Sequence, residues 1–207
     1  MGDGGRRRPA PILAAAALAA AVGLPGPPPE QPAPSRDFAA AASAPAPRPP
    51  ATSDERPPRR ILLAEVDLDA RVTPVGVTAQ GDMTVPDDPA TAGWYRYGPA
   101  PGSAQGSAVL VGHVDTDSGD LGEFAALHDV RRGHRVEVRR TGAAPAHYRI
   151  ASRVTVPKDD LPPSAFRRTG PPVLTLITCA PPYVPERGGY FNNHVVTAEP
   201  IASGRPQ

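Results

Sequence analysis

Leu174-Thr175-Leu176-Ile177-Thr178-Cys179 is the stretch on which the reading of this chain turns. Leucine, isoleucine and threonine without a charge or a glycine suit a buried pleated strand, and the turn Thr169-Gly170-Pro171 precedes them. The run closes on Cys179, the one cysteine among 207 residues. An intrachain disulfide and a cysteine-based zinc site are thereby excluded. The thiol is then either an inert buried group or a functional one. A second stretch has the same form: Ser107-Ala108-Val109-Leu110-Val111-Gly112-His113-Val114-Asp115 runs from a buried strand to a histidine at its polar rim. A thiol must lose its proton to attack, and a neighbouring imidazole is the commonest means. A cysteine and a histidine at the ends of two buried strands can meet at one barrel mouth while lying far apart in sequence. Taken singly, each has a blander reading. A strand-end cysteine serves as a small buried hydrophobe, and a histidine after glycine as a structural hydrogen-bonder.

Outward from these two runs the chain keeps the same texture. Residues 61–66 and 70–77 are short and apolar-rich; residues 135–139 and much of 147–156 alternate strictly; residues 194–198 form a last strand. Gly81-Asp82, Pro101-Gly102, Arg132-Gly133 and Thr141-Gly142 punctuate them as turns. One short helix is expected around residues 121–128. Many short strands separated by turns predict an all-β barrel or sandwich. Trp94 and Tyr95 read as packing residues, and His128, His134 and His147 as surface or strand residues without metal-ligand spacing. His194 reads as structural.

Ahead of this domain the composition changes. Arg6, Arg7 and Arg8 precede an unbroken run of apolar residues and glycine at 12–24, the pattern of an export signal or anchor. Thirty prolines, far above ordinary usage, crowd into the first third. Residues 25–59 therefore read as a disordered Pro/Ala-rich spacer of polyproline character. The expected organisation is a membrane-directed segment at 1–24, that spacer, a folded domain at 60–202 and a tail at 203–207. The product is an extracytoplasmic module, membrane-anchored by its N-terminal segment or secreted after cleavage. An unpaired thiol in an oxidising compartment is a liability unless it is used or hidden. A net charge of +1 gives no support to a nucleic-acid partner.

The pattern resembles the sortases, specifically the class F type of actinobacteria. The resemblance rests on Gly93-Trp94-Tyr95, Pro101-Gly102, the run from Gly106 through Gly112-His113-Val114-Asp115-Thr116, then Phe124 and Leu127. It continues through Gly133-His134-Arg135-Val136-Glu137-Val138 and Leu174 to Cys179, and ends on Asn193-His194-Val195-Val196-Thr197-Ala198. It implies an eight-stranded closed β-barrel with short helices. It also implies a cysteine transpeptidase that cleaves a sorting signal, typically of Leu-Pro-x-Thr-Gly form, between Thr and Gly. Cys179 would be the nucleophile and His113 the acid/base. An amine on a cell-wall precursor or a pilin lysine would resolve the thioester, with no metal or organic cofactor. Thr178 and Asp115 are expected at the substrate site. Rival readings are a cysteine hydrolase, in which water resolves the acyl-enzyme, and a binding module on the same barrel.

At one point the chain departs from the pattern. The family places an arginine near the start of the last strand, where it steadies the oxyanion. Here Tyr190-Phe191-Asn192-Asn193 puts Phe191 in that position. Arg187, four residues earlier and followed by Gly188-Gly189, is the candidate replacement; Arg149, Arg153 and Asn192 are weaker ones.

Overall fold

Ser107–Val111 is buried at all five positions, and this sets the architecture around it. A strand buried on both faces must sit inside a sheet that is itself covered. The computed structural model describes residues 56–116 and 118–201, with the side chain of Arg187 excepted, and the backbone of a short strand at 36–38. Nine strands are present among the described residues: β1 (Arg36–Phe38), β2 (Pro58–Leu63), β3 (Leu68–Val75), β4 (Thr91–Tyr95), β5 (Ser107–Val111), β6 (Arg135–Arg140), β7 (Ala143–Pro157), β8 (Val173–Val184) and β9 (Gly189–Pro200). Eight of them close a ring in the order β7-β6-β2-β3-β4-β5-β8-β9, and β9 returns to pair with β7. This is the closed barrel that the resemblance implies, with only short 3₁₀ turns in place of helices.

β1 falls inside the span read as spacer and pairs with β7 through Arg36 opposite Val154. β2 begins at Pro58, two residues ahead of the expected boundary. The segments at 1–24 and 203–207, and most of the spacer, lie outside the described residues. All described residues belong to one unit, Ala33–Gln207. No helix among them is long and apolar enough to cross a membrane.

The alternation seen in sequence is the alternation of the barrel wall. β3 buries Leu68, Ala70 and Val72 and exposes Asp69 and Arg71. β6 buries Val136 and Val138 between partly or fully exposed charges. The interior is filled by Ile61, Leu63, Leu110, Leu174, Leu176 and Val196, among others. Phe124 and Leu127, from the 3₁₀ turn Glu123–His128, are buried with them, each contributing ~1.5–3 kcal/mol. A smaller apolar cluster lies on the other face of β5 and β8, built on Val109, Val111 and Ile177. β4 escapes the periodicity because it is five residues long, with Gly93 at its centre and three adjacent buried positions. A Cβ at Gly93 would lie 2.9 Å from the Val75 side chain, so the parallel approach of β3 and β4 requires glycine there. Trp94 is buried, and its indole N–H donates to the Pro99 carbonyl at 3.1 Å.

Candidate active site between β5 and β8

β5 and β8 run parallel, with Val111 opposite Ile177. His113 follows the last pair of that ladder by two residues on one segment, and Cys179 follows it by two on the other; paired strands lie ~4.8 Å apart. Two hydrogen bonds hold the segments together beyond the last strand pair. The Gly112 N–H donates to the Ile177 carbonyl at 3.2 Å. The Thr178 hydroxyl, 3% exposed, donates to the Gly112 carbonyl at 2.9 Å. Thr178 thus spends its proton on fixing the strand end that carries His113. Gly112 also makes room for the core: a Cβ there would lie 2.6 Å from the Phe124 ring.

Alternation along β8 puts Cys179 on the face of Ile177, opposite the face of Leu174 and Leu176 that fills the barrel. Cys179 is a free, half-buried thiol. His113 is also half-buried, and its Nε2 lies 2.8 Å from the Pro86 carbonyl oxygen. A carbonyl can only accept, so Nε2 carries a hydrogen. In the neutral ring Nδ1 is then unprotonated and disposed to take a proton. Asp115, two residues on, does not make this contact. Its backbone bridges to Leu121, and its carboxylate accepts a 2.5 Å hydrogen bond from the Tyr190 hydroxyl. That bond is the main reason the Tyr190 phenol is pushed up to about 12, followed by partial burial and the negative charges of Asp115 and the Cys179 thiolate. Tyr190 therefore lies within electrostatic reach of the thiol.

Behind Cys179 stands a residue that the sequence reading placed at the surface. His128 is half-buried at the end of the 3₁₀ turn Glu123–His128, and its Nε2–H donates to the Cys179 carbonyl at 3.2 Å. Its ring meets His194 edge to face at 4.6 Å, and His194 Nδ1 lies 3.0 Å from the Thr155 hydroxyl. Arg153 donates to the carbonyls of Leu127 and His128, which anchors the same turn. Nothing local in the sequence signals this, because the three elements are brought together only by barrel closure.

The arginine question falls on β9. Cys179 is opposite Asn193, Thr178 opposite His194 and Ala180 opposite Asn192. Phe191 lies two residues before Asn193, in line with it along the strand face. Arg187 closes the 3₁₀ turn Pro185–Arg187, and its side chain lies outside what is described. Of the weaker substitutes, Arg153 serves the turn described above and Arg149 donates to the Gly133 carbonyl at 3.5 Å. The Asn192 amide donates to the Pro181 carbonyl at 3.1 Å.

The family model of the Sortase domain matches residues 64–201. The chain belongs to the sortase family. Among solved structures, sortase C1 of Streptococcus agalactiae superposes with a TM-score of 0.55 at 18% identity, over 72% of this chain and 69% of that one. Sortase C of Streptococcus pneumoniae gives 0.55 at 18% identity, over 75% and 74%. Sortase C-1 from Actinomyces oris gives 0.52 at 19%, over 72% and 76%. At these identities the likeness is one of fold. Among curated proteins nothing matches.

Proposed function

We propose that this sortase is a class F-like cysteine transpeptidase working outside the cytoplasm, tethered or exported by residues 1–24. It acts on sorting-signal peptides of Leu-Pro-x-Thr-Gly type. The β5–β8 register at Val111 and Ile177, two residues before His113 and Cys179, supports this reading, together with the Thr178–Gly112 hydrogen bond just beyond it. His113 Nδ1 takes the proton of the Cys179 thiol; the thiolate attacks the threonine carbonyl carbon, and the carbonyl π pair moves onto oxygen. When the intermediate collapses the C–N bond breaks, and the leaving amine takes a proton from His113 Nδ1. The thioester so formed is resolved by an amine, on a cell-wall precursor or a pilin lysine, whose proton returns to His113. The Pro86 carbonyl keeps Nε2–H occupied, so Nδ1 does this work.

Apolar residues near the thiol support a peptide substrate. Val109, Val111 and Ile177, on the Cys179 face, are buried beneath Met83, Val85, Tyr95, Leu161 and Phe166. The covering side chains are only partly buried, and they offer the apolar surface that the leucine and proline of the signal need. Thr178 and Asp115 serve the substrate by fixing the walls of the site, and Arg187 is the candidate cation at its rim. The test is incubation of the full chain with Leu-Pro-x-Thr-Gly peptides and an amine acceptor. Cleavage between Thr and Gly with transfer to the amine is expected, and Cys179→Ala should abolish both. Undiminished turnover by the alanine variant would end this reading.

A further inference from the structure

Acyl transfer at Cys179 builds negative charge on the carbonyl oxygen, and that charge needs a donor held close by. Phe191 can donate nothing, and the Asn192 amide is engaged with Pro181. Asn193 differs from both. It is the direct cross-strand partner of Cys179 on β9, which places the two Cβ atoms ~4.5–5.5 Å apart on one face of the sheet. It is 8% exposed. Its side-chain amide has no hydrogen-bond partner among the described residues, whereas Thr178, Thr175 and Ser107, the other buried polar residues, are all bonded.

No fully buried side-chain nitrogen or oxygen among the described residues lacks a partner. The small part of Asn193 that remains open to solvent therefore includes its unbonded amide. That amide is not spent on the protein and is free to meet a ligand on the sheet face it shares with Cys179. The rest of the side chain is covered, which limits its motion and preorganises it as a donor.

We propose that Asn193 is the oxyanion donor of this enzyme: its Nδ2–H hydrogen-bonds the oxygen that becomes negative when Cys179 attacks. The proposal rests on Cys179 being the nucleophile. Sγ bonds to the carbonyl carbon, the π pair goes to oxygen, and Nδ2–H stabilises that pair without transferring its proton. Collapse returns the pair to the carbonyl and expels the amine. A neutral donor suits a chain that has placed an aromatic ring where a cation could have stood. Asn193 would then bind the transition state more strongly than the substrate, so its loss should appear in the acylation rate rather than in binding.

Two probes of the same thiol separate this role from a structural one. p-Nitrophenyl acetate acylates Cys179 through a tetrahedral anion and releases p-nitrophenolate; iodoacetamide alkylates it by displacement, with no oxyanion. In the full chain, Asn193→Leu keeps the branching at Cγ, at a larger volume, and removes the donor, and the near-isosteric Asn193→Asp replaces the donor with acceptors. Both should slow acetylation of Cys179 by about 10²-fold. Alkylation, measured at a pH where the thiol is ionised, should be unchanged. Unchanged acetylation in both variants overturns the proposal, and so does an equal loss with both probes; either result leaves Cys179 as nucleophile. A folded wild-type chain in which Cys179 reacts with neither probe removes the nucleophile itself, and the proposal with it.

Discussion

The paired stretches of β5 and β8 that lead up to Cys179, and the corner that joins β8 to β9, flank the same cysteine, yet they are held in opposite ways. The paired stretches are clamped from several sides. The parallel ladder runs up to Val111 and Ile177, the Thr178 hydroxyl takes the next carbonyl, and His128 takes the carbonyl of Cys179 itself. The corner is exposed from Pro181 through Tyr183, turns through Pro185–Arg187, and leaves by two glycines at φ 90° and 111° that other residues rarely adopt. Its ties include the ladder pairs Tyr183–Tyr190 and Val184–Gly189, the edge-to-face contact of the two tyrosine rings, the Asn192–Pro181 bond and the Tyr190–Asp115 bond. A proton donor in the proposed reaction has to be held within tenths of an ångström, which suits the clamped ladder. Charge can be stabilised from more than one side, which suits the looser corner.

The sharpest way to break the comparison is to remove the two histidines in turn. His113→Ala should cut turnover by at least ~10², the loss of a general acid/base, while leaving the unfolding midpoint nearly unchanged. His128→Ala should do the reverse. It removes one hydrogen bond from the Cys179 carbonyl and should cost ~1 kcal/mol in denaturant unfolding, with activity reduced far less. Equal losses of turnover in both variants would show that the clamp, not the imidazole at 113, sets the chemistry. Arg187→Ala probes the corner and should have a smaller effect. Because Arg187 is one of more than one candidate charge-stabilising group, its loss should lower kcat/KM by about tenfold, less than the ~10²–10³ of a sole oxyanion donor. An unchanged kcat/KM would take Arg187 out of the site.

Most of the barrel was legible because its walls alternate. Residues 135–139 and 147–156 read as strands from period-two burial alone, and the structure buries Val136, Val138, Tyr148 and Ile150 accordingly. The strand ahead of His113 was legible from its unbroken apolar run, and β5 ends there at Val111. The run ahead of Cys179 was legible as a strand too, but β8 continues past Cys179 to Val184, because β9 goes on pairing with it as far as Gly189. β4 left too short a trace around Gly93. The His128–His194–Thr155 contact and the Cys179–Asn193 pairing depend on which strands become neighbours when β9 closes on both β8 and β7. Strand neighbours across β7, β8 and β9 are a property of topology, and no local pattern at 128 or 193 encodes them.

One tie of the corner gives the finest test. Tyr190 donates to Asp115, and its phenol stays neutral in the fold up to about 12, against the ordinary value of 10.0. Between those values the unfolded chain releases this proton and the folded chain keeps it, so the unfolded state binds fewer protons and stability falls as pH rises. Below pH 10 the contribution is fully present. Tyr190→Phe removes both the hydrogen bond and the titration. The variant should be slightly less stable than the wild type at pH 9, and the gap should narrow between pH 10 and 12 as the wild type loses its advantage. The measurement is the difference in Tm between the two proteins at each pH, in which titrations common to both cancel. A constant difference across that window would mean that the Asp115 bond does not hold the corner to the His113 segment, and that the two regions are independent of one another.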